Sequence, residues 1–319
     1  MVFYLCLGRH PVYQAIYLIA SHIKNGPVIS VDCAKNLRYI YRGKTFHIQM
    51  LDILLSKSDI YCFNSPLIEL KAWEALFKKV PMILVEEYYE KNWLKDLIVS
   101  FLLLPFKNCI FIALTKRTYY FLKKRGFMVF LIPPADKKRK ITKKRKYILF
   151  VGRLCASKNP QLVVDLAKKI KDEHFIIIGR GPLSHFVEKA SRELPNLKYI
   201  PYIKQREKLF DYYSEAKLLI HPAFKDPVGF VVIEALSTGT PTLVSAFTGA
   251  SDYLPENWVL DDLSSQKWAE KIREIVKNLS VNVAVAERTF DKEHLNLDDI
   301  YFNEVAKNIK VTLTKISSI

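Results

Sequence analysis

Short apolar runs alternate with longer helical stretches along most of this 319-residue chain. At its start, residues 1–8 predict a strand, residues 11–26 a helix and residues 27–32 a second strand. The alternation continues with a helix over 46–57 and a strand over 81–87. Repetition of strand and helix is typical of parallel sheets that are covered by helices. We therefore expect an α/β fold.

A strongly basic segment, residues 135–146, interrupts this alternation once. It holds eight basic residues, one acid and almost no apolar side chain, so we predict that it links two domains. The alternation resumes at residue 147. We expect two Rossmann-like, doubly wound parallel-sheet domains that face a cleft. The first spans 1–140 and is completed by a final helix at about 298–319, and the second spans 147–297.

The distribution of apolar residues and cysteines indicates a cytoplasmic protein. The apolar run 97–106 is too short to span a membrane and is broken by Pro105. Met1 leads into an apolar stretch without a basic region before it, so we expect no secretory signal. Five scattered cysteines without a CxxC pair predict neither a disulfide framework nor a zinc cluster, and they fit a reducing compartment.

The net charge of +17 favours anionic partners, although it also serves solubility. Residues 116–146 are densely basic, and residues 92–108 are apolar with Trp93 and flanking lysines. Interfacial helices combine these properties, so we consider peripheral docking on an anionic membrane surface. The alternative is that 92–108 packs in a core. The aromatic residues are spread through apolar runs without a groove-reading motif, which disfavours a nucleic-acid-binding protein.

Cations follow the first strand of the second half. Ligands of open parallel sheets bind beyond the carboxyl ends of the strands. Gly152 and Arg153 follow the strand 147–151, and Lys158 precedes a helix that opens with Pro160. Two cations beside free helix N–H groups are typical of a phosphate site. Alternatively, both cations are solvated loop residues.

Two acids follow a later strand, in "HPAFKDPVGFVVIEALSTGTP". Asp226 lies in the loop, and Gly229 opens the helix and permits close packing on a diphosphate or sugar. Glu234 lies inside that otherwise apolar helix, where a carboxylate is costly unless it is hydrogen-bonded. A ribose diol supplies two suitable donors, and the alternative is a polar partner in the core. After another strand, Gly181 beside Arg180 lets the backbone approach a flat ligand.

Four blocks of the second half carry a resemblance to a known family. They are "VGRLCASKN", "IIIGRGP", "YIPYIKQREKLFDYYSEAKLLIHPA" and "DPVGFVVIEALSTGTP". Over about residues 147–275 the chain resembles the donor domain of family 4 retaining glycosyltransferases of the GT-B fold, including two acids in the pattern Asp226-x7-Glu234. The resemblance implies transfer of a sugar from a nucleotide-diphosphate donor to a hydroxyl acceptor that is a glycan, lipid-linked or protein-linked. It implies no cofactor and no metal.

The resemblance also implies residue roles. Arg153 and Lys158 would hold the donor diphosphate, Glu234 the ribose, and Asp226 the hydroxyls of the donor sugar. The predicted surroundings of the base are Arg180, Gly181, Tyr202 and Ile203. The backbone amides predicted to meet the phosphate or the sugar are those of Val228, Gly229, Phe230 and Val231.

On the acceptor side, Gly8, Arg9 and His10 stand where the family has a glycine-rich loop. Glu86 and Glu87 stand where it often has a histidine near the reacting sugar, which makes Glu87 the candidate acceptor-side catalytic group. His10 is a second candidate, or a structural residue. Alternative functions within the same fold are a sugar-nucleotide epimerase, which needs no acceptor, and an inactive relative.

Overall fold

The protein is described by a computed structural model that covers residues 3–6, 28–32, 36–41, 44–48, 60–64, 82–86, 93–107, 109–139, 144–293, 295, 301, 304–305, 307–309 and 311–312. Two compact units make up the chain. The N-terminal unit consists of Met1–Ala135 with Leu297–Ile319, and the C-terminal unit is Asp136–Asn296. The described tail residues from 301 onward are helical.

The described strands of the N-terminal unit form one eight-stranded sheet in the order β4-β3-β2-β1-β5-β6-β7-β8. Their bounds are β1 Phe3–Cys6, β2 Val28–Asp32, β3 Asn36–Tyr41, β4 Lys44–Ile48, β5 Ile60–Asn64, β6 Met82–Glu86, β7 Ile110–Ala113 and β8 Met128–Leu131. From β2 to β8 every neighbouring pair is parallel. This is the arrangement that the strand–helix alternation predicts.

One edge of this sheet differs from the sequence prediction. The expected helix over 46–57 is wrong at its start, because Phe46–Ile48 belong to β4, which pairs antiparallel with β3. Both strands are rich in aromatic and β-branched residues and flank Gly43, a combination that favours a hairpin over a helix. Residues 49–57 lie outside the described part of the chain.

Two helices of the N-terminal unit are described, α1 Trp93–Leu103 and α2 Lys116–Lys123. The Thr115 side chain caps α2 by accepting a hydrogen bond from the amide of Thr118 at 3.3 Å. Arg125 Nε donates to Ser100 Oγ at 2.5 Å, which ties the end of α2 to α1. None of the described helices has the length and apolarity needed to cross a membrane.

The described strands of the C-terminal unit form a fully parallel six-stranded sheet in the order β11-β10-β9-β12-β13-β14. Their bounds are β9 Tyr147–Val151, β10 Phe175–Ile178, β11 Leu197–Ile200, β12 Ala216–His221, β13 Thr242–Ser245 and β14 Val259–Leu260. The central strands are buried along their whole length, as expected for a sheet with helices on both faces.

The helices of this unit are α3 Pro160–Lys169, α4 Ser184–Glu193, α5 Arg206–Glu215, α6 Phe230–Leu236, α7 Ser265–Lys277 and α8 Leu279–Lys292. The sequence did not predict α8. Val281, Val283 and Val285 alternate with other residues there and give a strand-like period of two. Tertiary packing decides the outcome, because Ala286 and Phe290 are fully buried in the core.

Apart from Ala135, the described residues of the basic segment 135–146 are part of the C-terminal unit. The amide of Arg139 donates to the carbonyl of Ser237 at 2.8 Å. Arg145 donates to the carbonyls of Ala216 and Gly239 at 2.7 and 2.9 Å. Composition suggested a linker without core contacts, whereas these two guanidine-bearing residues bind backbone of the folded unit.

Candidate functional site

The loops that follow β9 and β12 lie side by side. The two strands are parallel neighbours, with Leu149 opposite Leu219, so their carboxyl ends meet at one edge of the sheet. The carbonyl of Ser157 in the first loop accepts the amides of Phe224 and Lys225 in the second, at 2.8 and 3.3 Å. These two bonds join the loops that carry the predicted cations and the first predicted acid.

Lys158 and Asp226 form an ion pair between these loops. Lys158 Nζ lies 2.5 Å from Asp226 Oδ2, and His221 Nε2 lies 2.8 Å from the same oxygen. The amide of Gly229 donates to Asp226 Oδ1 at 3.1 Å. Burial raises the pKa of Asp226, but the hydrogen bond from His221 and the charge of Lys158 outweigh it and hold this pKa well below its usual range. Asp226 is therefore a carboxylate at any physiological pH.

Lys158 is held by a defined backbone. It ends a 3-10 turn, and Asn159 after it adopts a left-handed conformation with φ 53°. The side chain of Asn159 accepts the amide of Leu162 at 3.4 Å and so caps α3. Arg153, which follows β9, is exposed, and no described residue forms a hydrogen bond or ion pair with its guanidinium. The loop therefore presents one anchored cation and one open cation.

Glu234 lies on α6 and is buried among polar partners. The Tyr213 hydroxyl donates to Glu234 Oε2 at 2.8 Å, and Arg206 Nη2 lies 3.4 Å from Oε1. Arg206 also pairs with Asp136 at 2.6 Å. Burial raises the pKa of Glu234, against the effect of Tyr213 and Arg206. The structure thus contains the core pairing that the sequence left as an alternative, and the ribose role stays a prediction.

The residues predicted around the base follow β10 and β11. The guanidinium of Arg180 lies 4.8 Å from the ring centroid of Tyr202, and both side chains are exposed. Ile203 is half-buried against the core. A Cβ atom on Gly181 would lie 2.3 Å from the carbonyl oxygen of Leu154. Gly181 is therefore needed for contact with the loop after β9. From the sequence we expected its missing side chain to make room for a ligand.

Contacts within the protein also require a glycine at position 229. Its φ of 80° is left-handed, and a Cβ there would lie 2.4 Å from Thr248 Cγ2. Its amide is already bound to Asp226. Among the other predicted amide donors, Val228 is buried, and Phe230 and Val231 are half-buried at the start of the seven-residue helix α6.

Most of the predicted acceptor-side residues lie outside the described part of the chain. Gly8, Arg9, His10 and Glu87 lie outside the described residues. Glu86 ends β6, where it pairs with Ala113, and its side chain is not described. In the described part of the chain, no three His, Cys, Asp or Glu side chains are grouped so that they could hold a metal ion.

Sequence reasoning missed three side chains that the structure joins to the two acids: His221, Tyr213 and Arg206. His221 had a usable signal, since it ends a strand five residues before Asp226. Tyr213 and Arg206 lie on α5 and reach Glu234 across the space between two helices. The spacing of these residues along the sequence does not predict that they meet.

Sequence comparisons match the C-terminal unit. Residues 132–290 match the family described as Glycosyl transferases group 1. The chain is 26% identical over 110 residues to sulfoquinovosyl transferase SQD2 of Arabidopsis thaliana, covering 34% of this chain and 21% of that protein. It is 25% identical over 158 residues to D-inositol 3-phosphate glycosyltransferase of Corynebacterium urealyticum, covering 44% and 37%. The matches span well under half the length of these relatives.

Solved structures extend the likeness in fold to nearly the whole chain. The pneumococcal O-GlcNAc transferase GtfA, crystallised with UDP and GlcNAc, superposes with a TM-score of 0.65 at 16% identity over 90% of this chain and 64% of that chain. A UDP-forming trehalose-phosphate synthase of Burkholderia xenovorans superposes with a TM-score of 0.72 at 12% identity over 99% of both chains. Residues 132–290 thus match Glycosyl transferases group 1, and the chain has the GT-B fold of these solved glycosyltransferases.

Proposed function

We propose that this protein is a retaining glycosyltransferase of family 4. It moves a sugar from a nucleoside-diphosphate donor to a hydroxyl group on a glycan, lipid-linked or protein-linked acceptor. The observation that carries the proposal is the pairing of Lys158 with Asp226 where β9 and β12 end, beside the open guanidinium of Arg153. A fixed ammonium group and an exposed guanidinium at a strand edge suit a diphosphate.

The bond that breaks joins the anomeric carbon of the donor sugar to the diphosphate oxygen. Positive charge then develops on the sugar and negative charge on the departing diphosphate. Lys158 and Arg153 stabilise the diphosphate, and because Asp226 already holds Lys158, little reorganisation accompanies the step. We assign this stabilisation to the two side chains and not to a metal ion.

The new bond forms between the acceptor oxygen and the same anomeric carbon. Asp226 is a poor nucleophile here, since two cationic or N–H donors already bind its Oδ2 and an amide binds Oδ1. In the proposed reaction an oxygen of the leaving phosphate accepts the proton of the acceptor hydroxyl on the same face of the sugar. That geometry gives retention of configuration.

The nucleoside is assigned to the neighbouring strand ends. Tyr202 and Arg180 stack on each other and offer exposed faces to a base. Glu234 would bind the ribose hydroxyls through Oε1, because Tyr213 occupies Oε2 and the contact of Oε1 with Arg206 is long at 3.4 Å.

The test of this function is a panel of UDP- and GDP-sugars in thermal-shift assays. A donor at 100 times its Kd stabilises the folded state by about 2.7 kcal/mol, so one nucleotide should raise the melting temperature clearly. Acceptor-dependent product formation that survives EDTA then identifies a metal-independent transferase. Conversion of the donor without acceptor would favour the epimerase instead, and no shift with any nucleotide sugar would contradict the proposal.

We also propose that the protein is cytoplasmic and docks on anionic membranes through α1. Helix α1 is largely apolar, with Lys95, Asp96 and Ser100 as its polar residues, and the side chains of Val99 and Leu103 are buried. An exposed apolar surface is formed by four residues of α1 and by Leu104 in the 3-10 turn after it. We name it the α1 apolar face: Leu97 at 61% exposure, Ile98 at 50%, Phe101 at 72%, Leu102 at 39% and Leu104 at 53%. Exposed apolar area of this extent marks an interaction surface.

The charge around the α1 apolar face selects an anionic lipid surface as its partner. Residues 93–135 contain one acid, Asp96, and seven basic residues: Lys95, Lys107, Lys116, Arg117, Lys123, Lys124 and Arg125. Arg125 contacts Ser100, so the basic end of α2 lies against α1. Exposed Tyr120 on α2 adds an aromatic ring of the kind found at membrane interfaces.

Replacing both Leu97 and Phe101 by Ser should reduce co-sedimentation with vesicles of phosphatidylserine and phosphatidylcholine by well over tenfold, because about 0.8 kcal/mol is lost per CH₂ withdrawn from lipid and the two changes remove several carbons. The matched control is Val281→Ser, which changes an equally exposed apolar residue on α8. Equal binding of the wild-type chain to neutral and anionic vesicles would contradict this proposal.

A further inference from the structure

Asp226 has little capacity left for a ligand. An ionised carboxylate offers about four lone-pair sites. Lys158 Nζ and His221 Nε2 occupy both sites of Oδ2, and the amide of Gly229 occupies one site of Oδ1. At most one site, on Oδ1, can accept a sugar hydroxyl. Most of this carboxylate is therefore used within the protein, to hold Lys158 in place.

His221 contributes to this arrangement with only one of its two ring nitrogens. It ends β12, its side chain is 1% exposed, and its ring stacks on Phe150 with an interplanar angle of 17°. Its Nδ1 is buried, and no described residue forms a hydrogen bond with it. Since the ionised carboxylate can only accept, the Nε2–H must donate to Asp226, and a neutral ring leaves Nδ1 as a bare lone pair.

We propose that His221 is a positioning residue for Lys158, and that it acts through Asp226. The Nε2–H fixes the rotation of the carboxylate, and the carboxylate fixes the ammonium group of Lys158 toward the strand edge. The proposal rests on the proposed function, in which Lys158 binds the donor diphosphate. In this arrangement Asp226 chiefly orders the cation and is not the principal ligand of the donor sugar.

Two amide substitutions separate this role from mere packing. The side-chain nitrogen of Gln reaches the place of Nε2, whereas that of Asn reaches only the place of Nδ1. UDP is the probe, with binding measured by calorimetry on the full chain. His221→Gln should bind UDP within about twofold of wild type, and His221→Asn about tenfold more weakly, because a charge-assisted hydrogen bond is lost. Equal binding by the two variants would overturn the proposal.

A double variant shows whether His221→Asn acts through Asp226 or through a general loss of structure. In Asp226→Asn, the group through which His221 acts is already neutral, so adding His221→Asn should weaken UDP binding no further. A further tenfold loss in that background would show that His221 acts by another route, and would also overturn the proposal.

A measurement without nucleotide separates this inference from the proposed function. In ¹⁵N-lysine-labelled protein, the ammonium signal of Lys158 should be protected from solvent exchange in wild type and in His221→Gln, and broadened in His221→Asn. Loss of this pattern overturns the positioning role even if UDP binds. Persistence of the pattern in a chain that binds no nucleotide supports the positioning role and contradicts the donor assignment instead.

Discussion

Replacing Lys158 by Ala should lower the turnover of the nucleotide sugar by at least about 100-fold, since removal of one donor to a developing anion costs about 3 kcal/mol. Asp226 already orients Lys158, so in the proposed reaction its charge would face the diphosphate without rearrangement. Because negative charge grows as the bond breaks, kcat should fall by more than KM rises. Arg153→Ala should also lower kcat by more than it raises KM. Single-turnover kinetics with the donor identified by the thermal-shift panel measure both constants.

The matched control is Lys168→Ala. Lys168 lies on α3, the helix that begins just after Lys158, and among the described residues its side chain makes only a surface ion pair with Asp165. Its removal lowers the net charge by the same amount but should leave kcat within about twofold of wild type, as expected for a surface pair. Full activity in both Lys158→Ala and Arg153→Ala would contradict the assignment of the diphosphate site.

Replacing Arg145 by Ala should destabilise the folded chain by about 3 kcal/mol, because several buried acceptors lose a charged donor. Its guanidinium donates to the carbonyls of Ala216, Thr238 and Gly239 and to the hydroxyl of Thr240, at 2.7 to 3.2 Å. Ala216 begins β12, and the three other residues connect α6 to β13. The midpoint of urea unfolding, followed by the fluorescence of buried Trp258 and Trp268, measures the loss.

Lys146→Ala is the control for Arg145→Ala. Lys146 is the next residue of the same basic segment, but its side chain is 56% exposed, and in the described part of the chain it pairs only with Glu215. Its removal should cost less than about 1 kcal/mol, the usual value of a surface pair. Equal destabilisation by the two variants would mean that the basic segment acts through its overall charge and not through the contacts of Arg145.

Periodicity predicted the C-terminal sheet well, because each of its buried strands is a short apolar run followed by an amphipathic helix. Phe175–Ile178 and the helix after it are an example. The prediction was wrong for one segment and missing for another, and in both places two patterns compete. Alternating aromatic residues around Gly43 form two antiparallel strands where we expected the start of a helix. Valines at every second position gave α8 a strand-like pattern, so no helix was predicted there. In these places pairing and burial outweigh local propensity.

The sequence predicted where the residues of the candidate site lie in the fold, but not which side chains they contact. Strand ends pointed to Lys158 and Asp226 separately, as a phosphate ligand and a sugar ligand. Their ion pair depends on β9 lying next to β12, which the order of strands along the chain does not state. The contacts of Glu234 with Tyr213 and Arg206 likewise depend on how α5 and α6 pack. Side-chain pairing across elements needs three-dimensional information.

The neighbouring position of β9 and β12 also affects how the protein acquires its site. Two strands and three helices intervene between them in the chain, yet the Ser157 carbonyl can bind Phe224 and Lys225 only after both strands are paired. Closure of so long a loop is slow and raises the contact order. During synthesis, a nascent chain that has not yet added β12 carries the cationic loop without its carboxylate, so we expect the proposed diphosphate site to form late in folding.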